Sequence, residues 1–178
     1  LEKQTTRRVI VAGAFAGLLA SVYLANWLVQ NVGIIRVWPT DLLAPSGVYM
    51  AGVAFLFRDT VQRLASVQLA VVGIACGAAL SWFVSPTLAG ASAAAFTASE
   101  LTGLVVLALL GRRLTVGITA SQLAAAAVDS AVFLWLAFHS LAFWQGQVVA
   151  KVSVLAIAYP VVYGWRRYTD GRPAVFAR

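Results

Sequence analysis

The chain has 178 residues, 61% of them hydrophobic and only 11% charged, with a formal net charge of +7. A soluble domain carries about a quarter charged residues, so this composition excludes an ordinary soluble core and makes lipid the solvent for most of the surface. The one cysteine, Cys76, lies in an apolar run far from the one histidine, His139, which leaves no disulfide framework, no zinc site and no resident cofactor. The positive charge is not gathered into a patch, so no nucleic-acid partner is expected. The chain opens at Leu1 without an initiator methionine, and further N-terminal residues are expected. Arg7 and Arg8 before an apolar run resemble the charged start of a leader, but no cleavage site ends that run.

A membrane-spanning helix needs roughly 20 mostly apolar residues. In chain order the apolar runs predict six spans: about 9–30, 44–64, 65–84, 89–111, 117–138 and 144–165. Pro45 suits the first turn of the second span, and Ser85-Pro86 ends the third. Arg112-Arg113 stops the fourth and Arg166-Arg167 the sixth. The expected fold is an all-α, polytopic six-helix bundle forming one domain over residues 1–178.

Orientation follows from the basic residues. Lys3, Arg7, Arg8, Arg58, Arg63, Arg112, Arg113, Arg166, Arg167, Arg172 and Arg178 all fall on one side of this topology, against Arg36 alone on the other. The positive-inside rule then predicts an inner-membrane protein with both termini in the cytoplasm. Trp38, Trp82 and Trp144 fall near outer ends and Trp165 near an inner end, as aromatic belts do. Gly13-x-x-x-Gly17 and Ala12-x-x-x-Ala16 in the first span allow close helix approach, either within the bundle or against a partner membrane subunit or second copy.

Ionisable residues inside spans are expensive, and this chain places Glu100 in the fourth, Asp129 in the fifth and Lys151 in the sixth. At ~1.5 Å per residue, Lys151 lies roughly 10 Å, Asp129 roughly 14 Å and Glu100 roughly 17 Å from the outer ends. The three can therefore share one layer, with Asp129 and Lys151 close enough to pair. Asn26 and Gln122 add costly buried amides, and Gln122 lies on the same helical face as Asp129. A polar mid-membrane cavity follows. Arg58-Asp59 reads either as an interfacial cluster with Arg63 or as a place where Asp59 points inward, as an inner gate or binding group. His139 is expected in solvent, and Pro160 weakens one hydrogen bond in the last helix. No nucleophile elbow, metal cluster or phosphate loop is present, so no catalytic residue is assigned and no enzyme is expected.

Four segments carry a family resemblance: ANWLVQN (25–31), AGVAFLFRDTVQRLAS (51–66), SQLAAAAVDSAVFLWLAF (121–138) and AKVSVLAIAYPVVYG (150–164). Together they resemble the bacterial queuosine-precursor transporters, a vitamin-uptake-type family of six-span proteins. The resemblance implies uptake of 7-cyano-7-deazaguanine or its aminomethyl relative. Glu100 or Asp129 would accept two donors of the base edge. Lys151 or Gln122 would meet its carbonyl, and Phe96, Phe133 or Trp82 would stack on the ring. Two other readings fit a small six-span chain: the substrate-binding subunit of an energy-coupling-factor vitamin transporter, and a non-transporting membrane scaffold.

Overall fold

The computed structural model describes residues 2–110 and 115–170. Six helices follow one another: α1 Glu2–Val32, α2 Val48–Leu64, α3 Val67–Trp82, α4 Pro86–Leu110, α5 Thr115–Phe138 and α6 Trp144–Asp170. The basic pair Arg112-Arg113, with Arg172 and Arg178, lies outside the described residues.

The segment between α1 and α2 departs from the expected plain loop. It forms an antiparallel hairpin of β1 Ile34–Arg36 and β2 Leu43–Pro45. Pro45 therefore sits in a strand, not in a helical turn, and α2 begins later than the apolar run suggests. The physical reason is local: Gly33 takes a positive φ of 78° at the end of α1, and its carbonyl accepts from Ser46 N at 2.8 Å. That turns the chain back on itself. Val37 and Ala44 are then buried against Val48 of α2 and Ala150 of α6.

The helices close a ring. α1 packs on α2 and α3, α2 also packs on α6, α6 on α5, α5 on α4, and α4 returns to α3. Apolar clusters seal it at different levels. Val29, Leu88, Ala95, Phe133 and Leu134 join α1, α4 and α5. Ala14, Val61 and Ala70 join α1, α2 and α3. At the second level Arg7 Nε also donates to the Leu64 carbonyl at 2.8 Å, meeting an orphan acceptor at the end of α2. No single core fills the middle; the centre of the ring is a cavity.

The outer surface is apolar. Leu101, Leu104, Val105 and Leu109 of α4, Val71 and Val72 of α3 and Trp135 of α5 are all exposed. So broad an uncovered apolar surface suits lipid. Among the described residues, three helical stretches are long and apolar enough to cross a membrane: Gln4–Val32, Pro86–Leu110 and Ala120–Phe138. Helix α3 is apolar but has 16 residues, and α2 has 17. At ~1.5 Å per residue both stop short of the roughly 30 Å hydrocarbon layer. The molecule is thus a six-helix bundle with three helices of spanning length.

Small residues fix how closely the elements approach. A Cβ at Gly146 would collide with the Leu43 carbonyl of β2, and one at Gly47 with the Ala25 carbonyl of α1. Gly17 faces the Phe57 ring, where a Cβ would come within 2.6 Å. Gly13, its partner in the small-residue motif, has nothing within 4 Å. Gly146→Ala should therefore destabilise by about 1–3 kcal/mol through overpacking. Gly13→Ala should gain a few tenths, because alanine is the better helix former. Unfolding temperatures of the two variants in one detergent check this: equal shifts would mean that α6 and the hairpin do not touch as described.

Candidate functional site

Two charged clusters line or back the central cavity, one on α5 and α6, the other between α2 and α4. Each exists because an ionised group inside an apolar ring must find a counter-charge and hydrogen bonds.

Lys151 lies on the inward face of α6 and is 2% exposed. Its Nζ donates to Asp129 Oδ2 at 2.5 Å, Ser130 Oγ at 2.9 Å and Gln147 Oε1 at 3.1 Å. An ammonium has three N–H groups, so Lys151 is saturated. Ser130 passes its own proton to the Ala126 carbonyl at 2.8 Å, leaving its oxygen free to accept. The i, i+4 spacing of Gln147 and Lys151 and the adjacency of Asp129 and Ser130 assemble this cluster from one turn of each helix.

Arg58 forms the second cluster. At ~1.5 Å per residue it sits about 15 Å into α2, and its side chain is 4% exposed. Nε and Nη2 donate to Asp59 Oδ1 at 3.0 and 2.6 Å. Nη1 donates to Glu100 Oε1 across the ring. Gln62 Nε2 reaches the other Glu100 oxygen at 3.3 Å. The guanidinium lies 4.9 Å from the Phe55 ring centroid and 5.7 Å from that of Phe96, within cation–π range.

A third polar contact crosses the ring between α1 and α4. Ser92 Oγ donates to Asn26 Oδ1 at 2.9 Å. Asn26 is 1% exposed, and its Nδ2 has no hydrogen-bond partner. Ser46 Oγ is the other buried side-chain polar atom without a partner among the described residues.

The cavity between these groups has a volume of about 80 Å³ for the centres of water-sized spheres. Its wall is largely apolar, with Asn26, Ser92, Arg58, Asp129, Gln147 and Lys151 as polar points and Phe55, Phe96 and Phe133 as rings. That is the usual make-up of a small-molecule site. No protein family model, no curated protein and no solved structure matches this chain. No comparison ties it to the queuosine-precursor transporters, and the resemblance rests on its four segments alone.

Of the residues singled out in the sequence, Asn26, Asp129, Lys151, Phe96 and Phe133 meet on the cavity wall. The expected single layer of Glu100, Asp129 and Lys151 divides in two: Asp129 and Lys151 pair with each other, while Glu100 pairs with Arg58. Glu100 and Asp59 stand behind Arg58 and are not on the wall. Gln122 is half-buried on α5 off the wall. Trp82, at the end of α3, is 58% exposed and away from the cavity. His139 is exposed and edge-on to Trp135. The side chains of Arg63 and of Pro160 lie outside the described residues. Among the described residues, no three His, Cys, Asp or Glu side chains gather as a metal site.

Arg58, Gln147 and Ser92 join the site without having been singled out as binding groups. Arg58 falls near the inner end of its expected span, where a basic residue normally belongs to the interface, so the sequence pattern carries no separate signal for it. Saturation of Lys151 also changes its role. It has no N–H left for a solute carbonyl, so it orients Asp129.

Lys151→Met should strand a buried carboxylate and cost about 3–5 kcal/mol. Adding Asp129→Leu should recover most of that loss, because an apolar replacement of a buried pair is often neutral. Unfolding of the two single variants and the double in detergent measures the coupling; strictly additive losses would show that the pair does not act as a unit.

Proposed function

We propose that this chain is a membrane transporter for a small planar solute, bound in the central cavity, and that it acts by transport and not by catalysis. One observation carries the reading: a ring of helices, apolar outside, encloses a cavity with buried charges and an unpaired amide on its wall. Intramembrane charges of this kind mark solute or ion pathways. A purely structural bundle would gain by replacing them with apolar residues.

The finer proposal is a queuosine precursor, 7-cyano-7-deazaguanine or 7-aminomethyl-7-deazaguanine. Each of the four resembling segments supplies polar residues to the site: Asn26 from the first, Arg58, Asp59 and Gln62 from the second, Asp129 and Ser130 from the third, and Lys151 from the fourth. A deazaguanine edge offers adjacent donors to a carboxylate, and Phe96 and Phe133 offer faces for its ring. In this reading the protein sits in a bacterial inner membrane with all six helices embedded. Both termini are cytoplasmic, as the basic residues favour.

Release to the inner side would require α2 and α4 to part. Those helices are linked across the ring by Arg58 and Gln62 on Glu100, so this network is the inner gate of the proposal. An energy-coupling-factor subunit is the second reading. It is favoured by Ala12, Gly13 and Ala16, which stay exposed on α1 as a docking face would; copurification of a scaffold subunit with ATPases would select it.

The test is uptake of labelled 7-cyano-7-deazaguanine into proteoliposomes holding only this chain. The wild type should exchange the label, and Glu100→Gln or Arg58→Ala should slow exchange at least tenfold. Wild-type exchange no faster than empty vesicles would reject the transport proposal for this solute, and unchanged rates in both variants would reject the gate.

A further inference from the structure

We propose that Asn26 is the specificity residue of the cavity, its Nδ2 donating to a hydrogen-bond acceptor of an uncharged solute. This rests on the transport reading above and names what that site selects.

The argument begins with an unmet donor. Asn26 is almost completely buried, lines the cavity and has one amide atom engaged, Oδ1, which accepts from Ser92 Oγ. Nδ2 has no partner. A buried amide without its bond is costly, and native structures rarely keep one without a reason. Asn26 belongs to a helix otherwise suited to lipid, where leucine would serve packing better. A donor held free on the wall of a cavity is what a ligand acceptor needs.

The charges around it define the rest of the solute. Lys151 has no N–H left over, and the Arg58 guanidinium spends three of its five N–H groups on two carboxylates. Each cation is matched by at least one carboxylate, so no uncompensated positive charge on the wall calls for an anionic solute. Asp129 uses only Oδ2 for Lys151, and among the described residues Oδ1 carries no hydrogen bond. Asp129 also lines the cavity. The wall therefore offers one neutral donor at Asn26 and one free carboxylate oxygen at Asp129. A cationic group would compete with Lys151 for Asp129. A neutral solute carrying a carbonyl beside an N–H satisfies both atoms without disturbing either ion pair, which is the chemistry of an oxo-substituted nucleobase or lactam. Replacing that carbonyl by an amino group would set donor against donor, the mismatch that polar sites reject most strongly.

The experiment compares 7-cyano-7-deazaguanine with its diamino counterpart, in which the ring carbonyl is an amino group, by calorimetry and thermal shift on the purified chain. The wild type should prefer the oxo compound at least tenfold, and Asn26→Asp, which turns the donor into an acceptor, should narrow that preference at least threefold; it need not reverse it, because the diamino ring has also lost the ring N–H that faces Asp129. Asn26→Leu gives an arm that depends on no particular ligand. It removes an unpaired donor but also the acceptor of Ser92 Oγ, so its unfolding temperature without solute should change little, and it should lose the solute-induced shift. Oxo binding with an unchanged preference in Asn26→Asp, or a solute-induced shift retained in Asn26→Leu, overturns the inference and leaves the transport reading standing. If neither compound binds but another neutral carbonyl solute from a nucleobase and vitamin panel does, and loses tenfold in Asn26→Leu, the inference holds and the deazaguanine reading fails. Binding of anionic solutes alone, or of none, overturns both.

Discussion

A guanidinium that stands well inside a helix of this ring must bring its counter-charges with it, and much of the inner half of the molecule follows from meeting that demand at Arg58. Arginine does not give up its proton in a protein, so burial cannot be relieved by neutralisation. Asp59, next in sequence, supplies one carboxylate, but the fork of nitrogens needs a second acceptor from elsewhere. Glu100 supplies it from α4, across the ring. That pairing fixes the rotation of α2 and so brings Gln62 onto the second Glu100 oxygen, while Phe55, one turn earlier on the same helix, lies under the guanidinium. The ring of helices and the polar floor of the cavity are then two consequences of one electrostatic requirement.

The two clusters differ in a way that suits different tasks. Lys151, Asp129, Ser130 and Gln147 form a closed set drawn from two adjacent helices, α5 and α6. Parting α2 from α4 would leave it intact. The Arg58 network joins helices that are not neighbours in the ring, so any opening between them must break it. Exposed to water, its members would be solvated and the loss partly repaid; sealed, they must pair. A network that is favourable only when closed, placed at one level of a cavity, is what the proposed gate requires. The saturated lysine is a support for Asp129.

Much of the helical order was legible because long apolar runs leave few alternatives: α5 lies within two residues of the expected 117–138 and α6 starts at Trp144 as expected, although it runs on to Asp170, past the expected stop at Arg166-Arg167. The Asp129–Lys151 pair was legible from depth alone, since both residues lie within about one helical turn of the same level. The Arg58 cluster was not. Basic residues near span ends normally belong to the interface, and Arg58 was counted there with its neighbours. What decides the matter is the pairing with Glu100 across the ring, which no spacing along the chain reveals; the start of α2 at Val48 in turn depends on a hairpin of three-residue strands too short to announce itself. The unpaired Nδ2 of Asn26 was likewise beyond sequence reasoning: the presence of an amide is visible in a sequence, but its missing partner is not.

The hairpin also bears on the two short helices. Helix α2 alone is too short for the hydrocarbon layer, yet the chain before it does not run out into solvent. β1 and β2 pair with each other, bury Val37 and Ala44, and lie against α6 at Gly146. Pro45 and Gly47 lie on the cavity wall. Non-helical backbone at membrane depth is tolerated where protein covers it or where it lines a cavity, and this segment meets both conditions. A longer α2 would carry its regular backbone through that position, and Ser46 N would no longer turn back to Gly33. The hairpin ahead of a short α2 leaves irregular backbone on the cavity wall, close to Asn26 through the Gly47–Ala25 contact. That tight contact allows no side chain between the start of α2 and α1 at Ala25, the residue before Asn26, so the backbone that lines the cavity there can come no closer and cannot carry a bulkier residue.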